Sequence, residues 1–303
     1  MTNEEFCLKA QSFGFRLVCF LPTVKIETST PGLIEDPHAL FEDAKTVILL
    51  IMQYNPCYVP SGTQEATISP YYQVSQRAYV SARQLSDALR EEGLKAVSNV
   101  QLPLKPYLSR FGIGQMGRNS LIAIPGIGSA FHVQAIVTNG GFEHTHKDTG
   151  TPKPGERCKG CKKCIEACPT SAILEGGRID KNKCLRAISE KDPVPYEYEA
   201  LLGSRLLGCD VCQSVCPVNC GFDPLPEPEY PLKALLNGEI TELKHAIGPN
   251  YARVNKLKKK ASVVAANLDR QDLLEDIRQQ CEADDASVAA AMKHALERLE
   301  EHK

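Results

Sequence analysis

Thirteen cysteines stand in the 303-residue chain, and nine of them fall between Cys158 and Cys220. The first run reads Cys158-x2-Cys161-x2-Cys164-x3-Cys168-Pro169. Two-residue gaps let three thiolates wrap one corner of an iron–sulfur cube, and the cysteine before proline is free to point at a second cube. The second run is Cys209-x2-Cys212-x3-Cys216-Pro217, with Cys184 alone upstream. Four thiols from the first run, Cys184 and three from the second complete two cubes of four ligands each. Spacing predicts Cys158, Cys161, Cys164 and Cys216 on one cluster, and Cys168, Cys184, Cys209 and Cys212 on the other. The exchange of the CysPro ligand follows the two-cluster rule for the first run and symmetry for the second. Cys220 is a ninth cysteine without an assigned role. Zinc is the alternative, since zinc sites with four cysteine ligands also use CxxC pairs. Cys7, Cys19, Cys57 and Cys281 read as small apolar residues.

Two neighbouring cubes conduct electrons but neither bind a substrate nor select a reaction. Something else must receive the electrons, and the first 150 residues are too many for a cluster holder alone. Gly112-x-Gly114-x-x-Gly117 resembles a dinucleotide fingerprint, but no clean strand precedes it and no acidic residue follows at the required distance. A glycine turn approaching another flat or anionic cofactor is the alternative, with Arg118 and Asn119 as donors. A tight turn between packed elements is the plain one. His132 falls in a strand pattern, where a structural or surface histidine is the commoner occupant.

The elements that carry these residues follow from periodicity. A short helix and a strand occupy the first twenty residues. Thr46–Met52 is a continuous apolar run of buried-strand length. Residues 55–72, rich in proline, read as a loop. Ala78, Ala82, Leu85 and Leu89 share one face of a helix over 77–92, which Gly93 ends. Leu94–Val100 is a strand, 105–111 a helix, and the alternation around Val133 and Ala135 another strand. Residues 144–157 and 221–231 are linkers. The basic segment Arg253–Lys260 reads as a solvated helix face, or as a weak contact for RNA phosphates. An αα-hairpin follows it. The fold class is therefore α+β. An N-terminal α/β sandwich-type domain (1–150) precedes a ferredoxin-like double-cluster domain (151–230) and a helical tail (231–303).

Charge narrows the function. Lys plus Arg number 35 and Asp plus Glu 37, a net charge of -2, which excludes a strongly basic nucleic-acid coat protein. Apolar residues at 43% suffice for a sizeable core. The start, MTNEEFCLKA, has no basic flank and apolar segment of a signal peptide, and the longest apolar run is far shorter than a membrane span. A cytoplasmic protein with no membrane attachment is expected, and clustered cysteines there point to metal rather than disulfides.

The segment Gly112-Ile-Gly-Gln-Met-Gly-Arg-Asn-Ser-Leu121, the CxxCxxCxxxCP run, the isolated Cys184 and Leu207-Gly-Cys-Asp-Val-Cys-Gln-Ser-Val-Cys-Pro217 resemble the epoxyqueuosine reductase family and, more distantly, reductive dehalogenases. The tail from Arg253 is similar to the HEAT-like helices that end those reductases, with about one repeat. The resemblance implies two [4Fe–4S] clusters, a base-off cobalamin in the N-terminal domain, and reduction of an epoxide on a tRNA wobble base. It places the Gly112–Asn119 loop near the corrinoid; the cofactor-binding candidates are then Gly112, Gly114, Gly117, Arg118, Asn119 and His132, and the catalytic candidates Tyr79 and Ser98. It also implies an electron donor such as ferredoxin or flavodoxin, and tRNA as a partner. Two departures are visible. Arg77-Ala-Tyr-Val80 keeps the tyrosine of the family's Arg/Lys-Asp-Tyr-His segment but not its aspartate or histidine. Val97-Ser-Asn-Val100 stands where the family has Val-Asp-Thr-Gly with a catalytic aspartate. The expected function is an iron–sulfur reductase with an altered substrate. The alternatives are an electron-transfer protein that docks a redox partner, and a true tRNA reductase with a relocated proton donor.

Overall fold

The computed structural model describes residues 1–59, 64–150, 158–219 and 221–301. The chain divides into two units built from interleaved segments. One comprises Met1–Tyr54, Val74–Lys162 and Pro217–Asn219, and the other Asn55–Gln73, Lys163–Cys216 and Cys220–Lys303.

The first unit is organised by a four-stranded antiparallel sheet. Its strands lie in the order Leu17–Pro22, Thr46–Gln53, Phe131–Thr138, Ala96–Ser98. The Thr46–Gln53 strand is apolar from Val47 to Met52 because both its faces are covered. Val47, Leu49 and Ile51 meet Cys19, Leu21, Ala135 and Val137, under Tyr107, Leu108 and Phe111 of the helix Leu104–Arg110 and its C-cap. Ile48, Leu50 and Met52 face the other way, against Phe6 and Ala10 of the helix Asn3–Ser12 and the Ala78–Ala82–Leu85–Leu89 stripe. Each such leucine or isoleucine side chain stabilises the fold by about 1.5–3 kcal/mol when fully buried. The sandwich expected for this region is therefore present, with helices on both faces of the sheet.

The long helix runs from Pro70 to Glu91, seven residues earlier than the apolar stripe indicates. Ser69 starts it, accepting the Tyr71 N–H on its hydroxyl, and Pro70 occupies a first-turn position that needs no donor. Residues 55–72 are accordingly not one loop. Tyr58–Val59 and Ala66–Ile68 are strands. Ala66–Ile68 is the middle strand of the second unit's three-stranded sheet, parallel to Arg205–Leu207 and antiparallel to Glu229–Tyr230. The segment 221–231 likewise holds the strands Leu225–Pro226 and Glu229–Tyr230 rather than a bare linker. Of the linker expected at 144–157, residues 151–157 lie outside the described residues, as does Cys220.

Below that sheet the second unit is helical. Leu232–Leu236, Thr241–Ile247, Val254–Asn267, Leu274–Gln280 and Ala286–Glu301 pack around a core that includes Ile68, Tyr72, Leu206, Leu207 and Leu257. The hairpin expected after residue 269 is present, but two further helices precede Val254. Asp285 starts the last helix. Its carboxylate accepts from Ser287 N (2.9 Å), Val288 N (3.1 Å) and Asn255 Nδ2 (2.7 Å). Bonds from the Ser287 hydroxyl and the Val288 N–H hold its pKa down at about 2. A carboxyl depressed in the folded state stabilises above its ordinary pKa and loses that contribution as pH falls through the folded value. Asp285→Ala should therefore lower the melting temperature at pH 7, and the gap from the parent should close between the ordinary carboxyl range and about 2, read by circular dichroism melts across pH.

The basic segment is not a solvated face. Lys256 Nζ bonds to Glu190 O at 2.6 Å and Lys258 Nζ to Gln280 Oε1 at 2.9 Å. Lys259 pairs with Asp192 at 2.7 Å. Lys260 is 4% exposed. The helix buries Leu257, Ala261 and Val264 on one face, and Lys260 is buried beside them with its ammonium turned to backbone carbonyls. No helix among the described residues is long and apolar enough to cross a membrane.

Candidate functional site

The eight assigned cysteines are all partly or fully buried. Short turns and helices present them. The Cys161 N–H bonds to Cys158 O at 3.2 Å. Cys164 is buried on the one-turn helix Lys163–Glu166, and Cys212 sits on the one-turn helix Val211–Ser214. These two helices pack against each other. Cys184 caps the helix Leu185–Ser189. Cys209 follows the strand Arg205–Leu207 through Gly208, and Cys216 follows the Val211–Ser214 helix.

Two of these thiols have displaced acidities. At Cys168 burial pushes the pKa up, but bonds from Thr170, Ala172 and Ile173 outweigh it and the net shift is downward. The Ala172 N–H reaches the sulfur at 3.3 Å. A thiolate is the ligating form, so donors aimed at sulfur suit a metal-bound cysteine. Burial is also the main influence at Cys209, where it prevails and raises the pKa. The Val211 N–H and Arg205 oppose it, while negative charge on Asp210 and Cys184 adds to it. Cys184, remote in sequence, is thus within electrostatic reach of Cys209.

The donor set is sulfur. Among the described residues no three His, Cys, Asp or Glu side chains are gathered where they could hold one metal ion. A zinc ion draws its sulfurs to about 2.3 Å from a single centre, whereas a cube offers one iron corner per thiolate.

The Gly112–Asn119 segment is a small hairpin, Gln115–Met116 pairing with Ile122–Ala123. It follows a helix, not a strand, so the dinucleotide geometry is absent. Its glycines have local reasons. Gly112 has φ +65°, and a Cβ at Gly114 would lie 2.4 Å from Ile122 Cγ2. The hairpin also touches Cys158, one of the assigned cysteines, within the same unit. Arg118 Nε donates to Cys158 O at 3.1 Å, and a Cβ at Gly117 would come within 3.8 Å of Cys158 Sγ. Asn119 is buried, its Oδ1 accepts from the Leu121 N–H at 3.3 Å, and its Nδ2 has no partner. An orphaned buried donor is what a bound polar group would satisfy.

Tyr79 and Ser98 are brought together by Asn99. The Asn99 Nδ2 donates to Tyr79 O and to Ser98 Oγ, each at 3.3 Å. Asn99 stands at φ +57°, and its buried Oδ1 lacks a partner. Periodicity could not single out Asn99. The only signal was an asparagine, tolerant of the left-handed region, closing a short strand. His132 lies on the Phe131–Thr138 strand with Nε2 at 2.9 Å from Gln134 Nε2.

Residues 157–219 match the family model of a 4Fe-4S double cluster binding domain. The epoxyqueuosine reductase of Bacillus cereus (strain ATCC 14579) is 32% identical over 195 residues, 60% of this chain and 50% of that protein. The chain thus spans about half the length of that relative. An epoxyqueuosine reductase crystallised with an epoxyqueuosine-modified tRNA-Tyr stem loop superposes with a TM-score of 0.78 at 22% identity, covering 98% of this chain and 89% of that one. The reductase of Streptococcus thermophilus superposes at 0.76 and 20% identity, covering 98% of this chain and 90% of that one. The fold is shared.

Proposed function

From a chain similar to epoxyqueuosine reductases in sequence and in fold, we propose an iron–sulfur reductase that carries electrons through two [4Fe–4S] clusters to a corrinoid in the N-terminal α+β unit. The observation that carries this reading is the Gly112–Asn119 hairpin. It is bonded to a cluster cysteine and keeps an unsatisfied buried donor there. Eight thiols alone would describe only a wire; the hairpin joins the wire to a place where a second group can bind. Arg118 and the Asn119 amide would hold that group from the cluster side, with Gly112, Gly114, Gly117 and His132 as further candidates. A corrinoid, when bound, supplies low-potential cobalt chemistry. Tyr79 and Ser98 are the polar groups proposed for the reacting side, with Asn99 bonded to the Tyr79 backbone carbonyl and to the Ser98 hydroxyl.

The proposed donor is a small redox protein of the ferredoxin or flavodoxin kind, and the proposed location is the cytoplasm. An RNA-borne epoxide is the substrate class the relatives suggest, one of them having been crystallised with a tRNA stem loop. Ser98 in place of the family's aspartate favours a different electrophile. A second reading, an electron carrier that docks a redox partner, draws on the packing reasons for Gly112 and Gly114, which need no cofactor. Anaerobic purification with iron, sulfide and corrinoid quantification separates the two. About eight irons and one equivalent of corrinoid per chain support the enzyme. The same iron with no corrinoid uptake supports the carrier, and zinc alone removes both.

A further inference from the structure

Three lysines on the helix Val254–Asn267, Lys256, Lys259 and Lys260, end on the segment between two assigned ligands, Cys184 and Cys209. Lys260 Nζ donates to Ser189 O and, at 3.1 Å, to Lys191 O, while Lys256 Nζ donates to Glu190 O. These carbonyls close the short helix that Cys184 begins. Ser189 is fully buried. Its hydroxyl donates to Arg186 O at 2.8 Å and accepts the Gly208 N–H at 2.7 Å. Gly208 immediately precedes Cys209 and has φ +91°; a Cβ there would lie 2.3 Å from the Ser69 Cβ. The backbone at Gly208 is thus pressed from one side and bonded from the other. A continuous path runs from Lys260 through Ser189 to Gly208, with Cys184 at one end of the Ser189 helix and Cys209 next to Gly208. Tyr72 reinforces it, its hydroxyl donating to Glu190 Oε1 at 2.6 Å.

We propose that Lys260 is a positioning residue for the second cluster, holding the Cys184 and Cys209 segments at the separation a cube requires by anchoring Ser189. The inference rests on the ligand assignment used for the proposed function. A buried donor is expensive to remove when its acceptors stay behind. Here the acceptors belong to the two segments that carry ligands far apart in sequence. A cube held by four thiolates tolerates little slack in any one, so a loosened Ser189 is read at the metal before it is read in the fold.

The test uses the full chain purified without oxygen, in four versions: the parent, Lys260→Met, Ser189→Ala and Lys258→Met. Lys258 lies on the same helix but bonds to Gln280, so it controls for loss of a lysine from that helix. Ser189→Ala removes one oxygen and keeps the chain folded should Lys260→Met fail to fold. Iron content, the electron paramagnetic resonance spectrum of the reduced protein and the midpoint potentials are measured. Lys260→Met and Ser189→Ala should each alter one of the two cluster signals and its potential, with iron falling toward about four per chain. The other signal and the spectra of Lys258→Met should match the parent. Unchanged iron, spectra and potentials in a folded Lys260→Met or Ser189→Ala protein would overturn the proposal, as would an equal change in Lys258→Met. A parent without two clusters would instead overturn the underlying assignment, so the two failures are distinguishable.

Discussion

Cys184→Ser should leave the chain with one cube instead of two, about four irons per chain in place of about eight. Of the assigned ligands Cys184 is the most exposed to challenge, because no short motif contains it. Its case rests on two facts. Seven thiols from the two runs leave one of eight corners open, and Cys184 lies close enough for its charge to act on Cys209. Serine is nearly the same size and makes the same turn, but its hydroxyl remains protonated where a cysteine thiol ionises. The change therefore removes a ligand and spares the fold. Iron analysis and the resonance spectrum of the reduced protein read the result. Retention of both signals at full iron would show that Cys184 is not a ligand. Cys220 would then be the thiol to test as the eighth.

Ser98→Asp should raise turnover of an RNA-borne epoxide by about 10²–10⁴-fold, the range that a positioned general acid contributes. Removing an epoxide oxygen as water consumes two electrons and two protons. Clusters supply the first, but the ring oxygen leaves poorly unless a proton reaches it as the carbon–oxygen bond breaks. A carboxyl group can deliver it near neutral pH; a serine hydroxyl cannot. The position is suited to the exchange. Ser98 ends a sheet strand whose pairing with Ile136 fixes its backbone, and the Asn99 amide already donates to its side-chain oxygen. Mass spectrometry of an epoxyqueuosine-bearing stem loop, incubated with the reduced parent and variant, gives the ratio. Equal and rapid turnover by both would place the proton donor elsewhere. No turnover by either would mean a different electrophile, in keeping with the altered substrate.

The parts legible in the sequence were those in which one residue's neighbours along the chain decide its fate. The CxxC runs are read directly because the ligands of a run are within a few residues of one another. Thr46–Gln53 is apolar at almost every position because both faces are covered. The Ala78–Leu89 stripe repeats with the helix. What escaped depends on distant partners. Ala66–Ile68 is three residues long, too short for any period, and becomes a strand only because Arg205–Leu207 and Glu229–Tyr230 flank it. The start of the long helix was written in Ser69-Pro70, a cap and first-turn pair masked by the prolines around it. The lysines of 256–260 look solvated by composition; the acceptors of Lys260 are carbonyls some seventy positions earlier. Asn99 shows its character only through its backbone angle and its orphaned oxygen.

The three-stranded sheet sets a limit on how this protein can be cut. The stretch that matches the double-cluster family model begins at 157 and ends at 219, and it invites expression as a miniature ferredoxin. Leu206 and Leu207, both fully buried, would come away with it. Ile68, Leu232 and Leu257, which cover them, would not. A fragment trimmed to those boundaries carries every assigned thiol yet exposes a bare hydrophobic floor, so it is destined for aggregation rather than reconstitution.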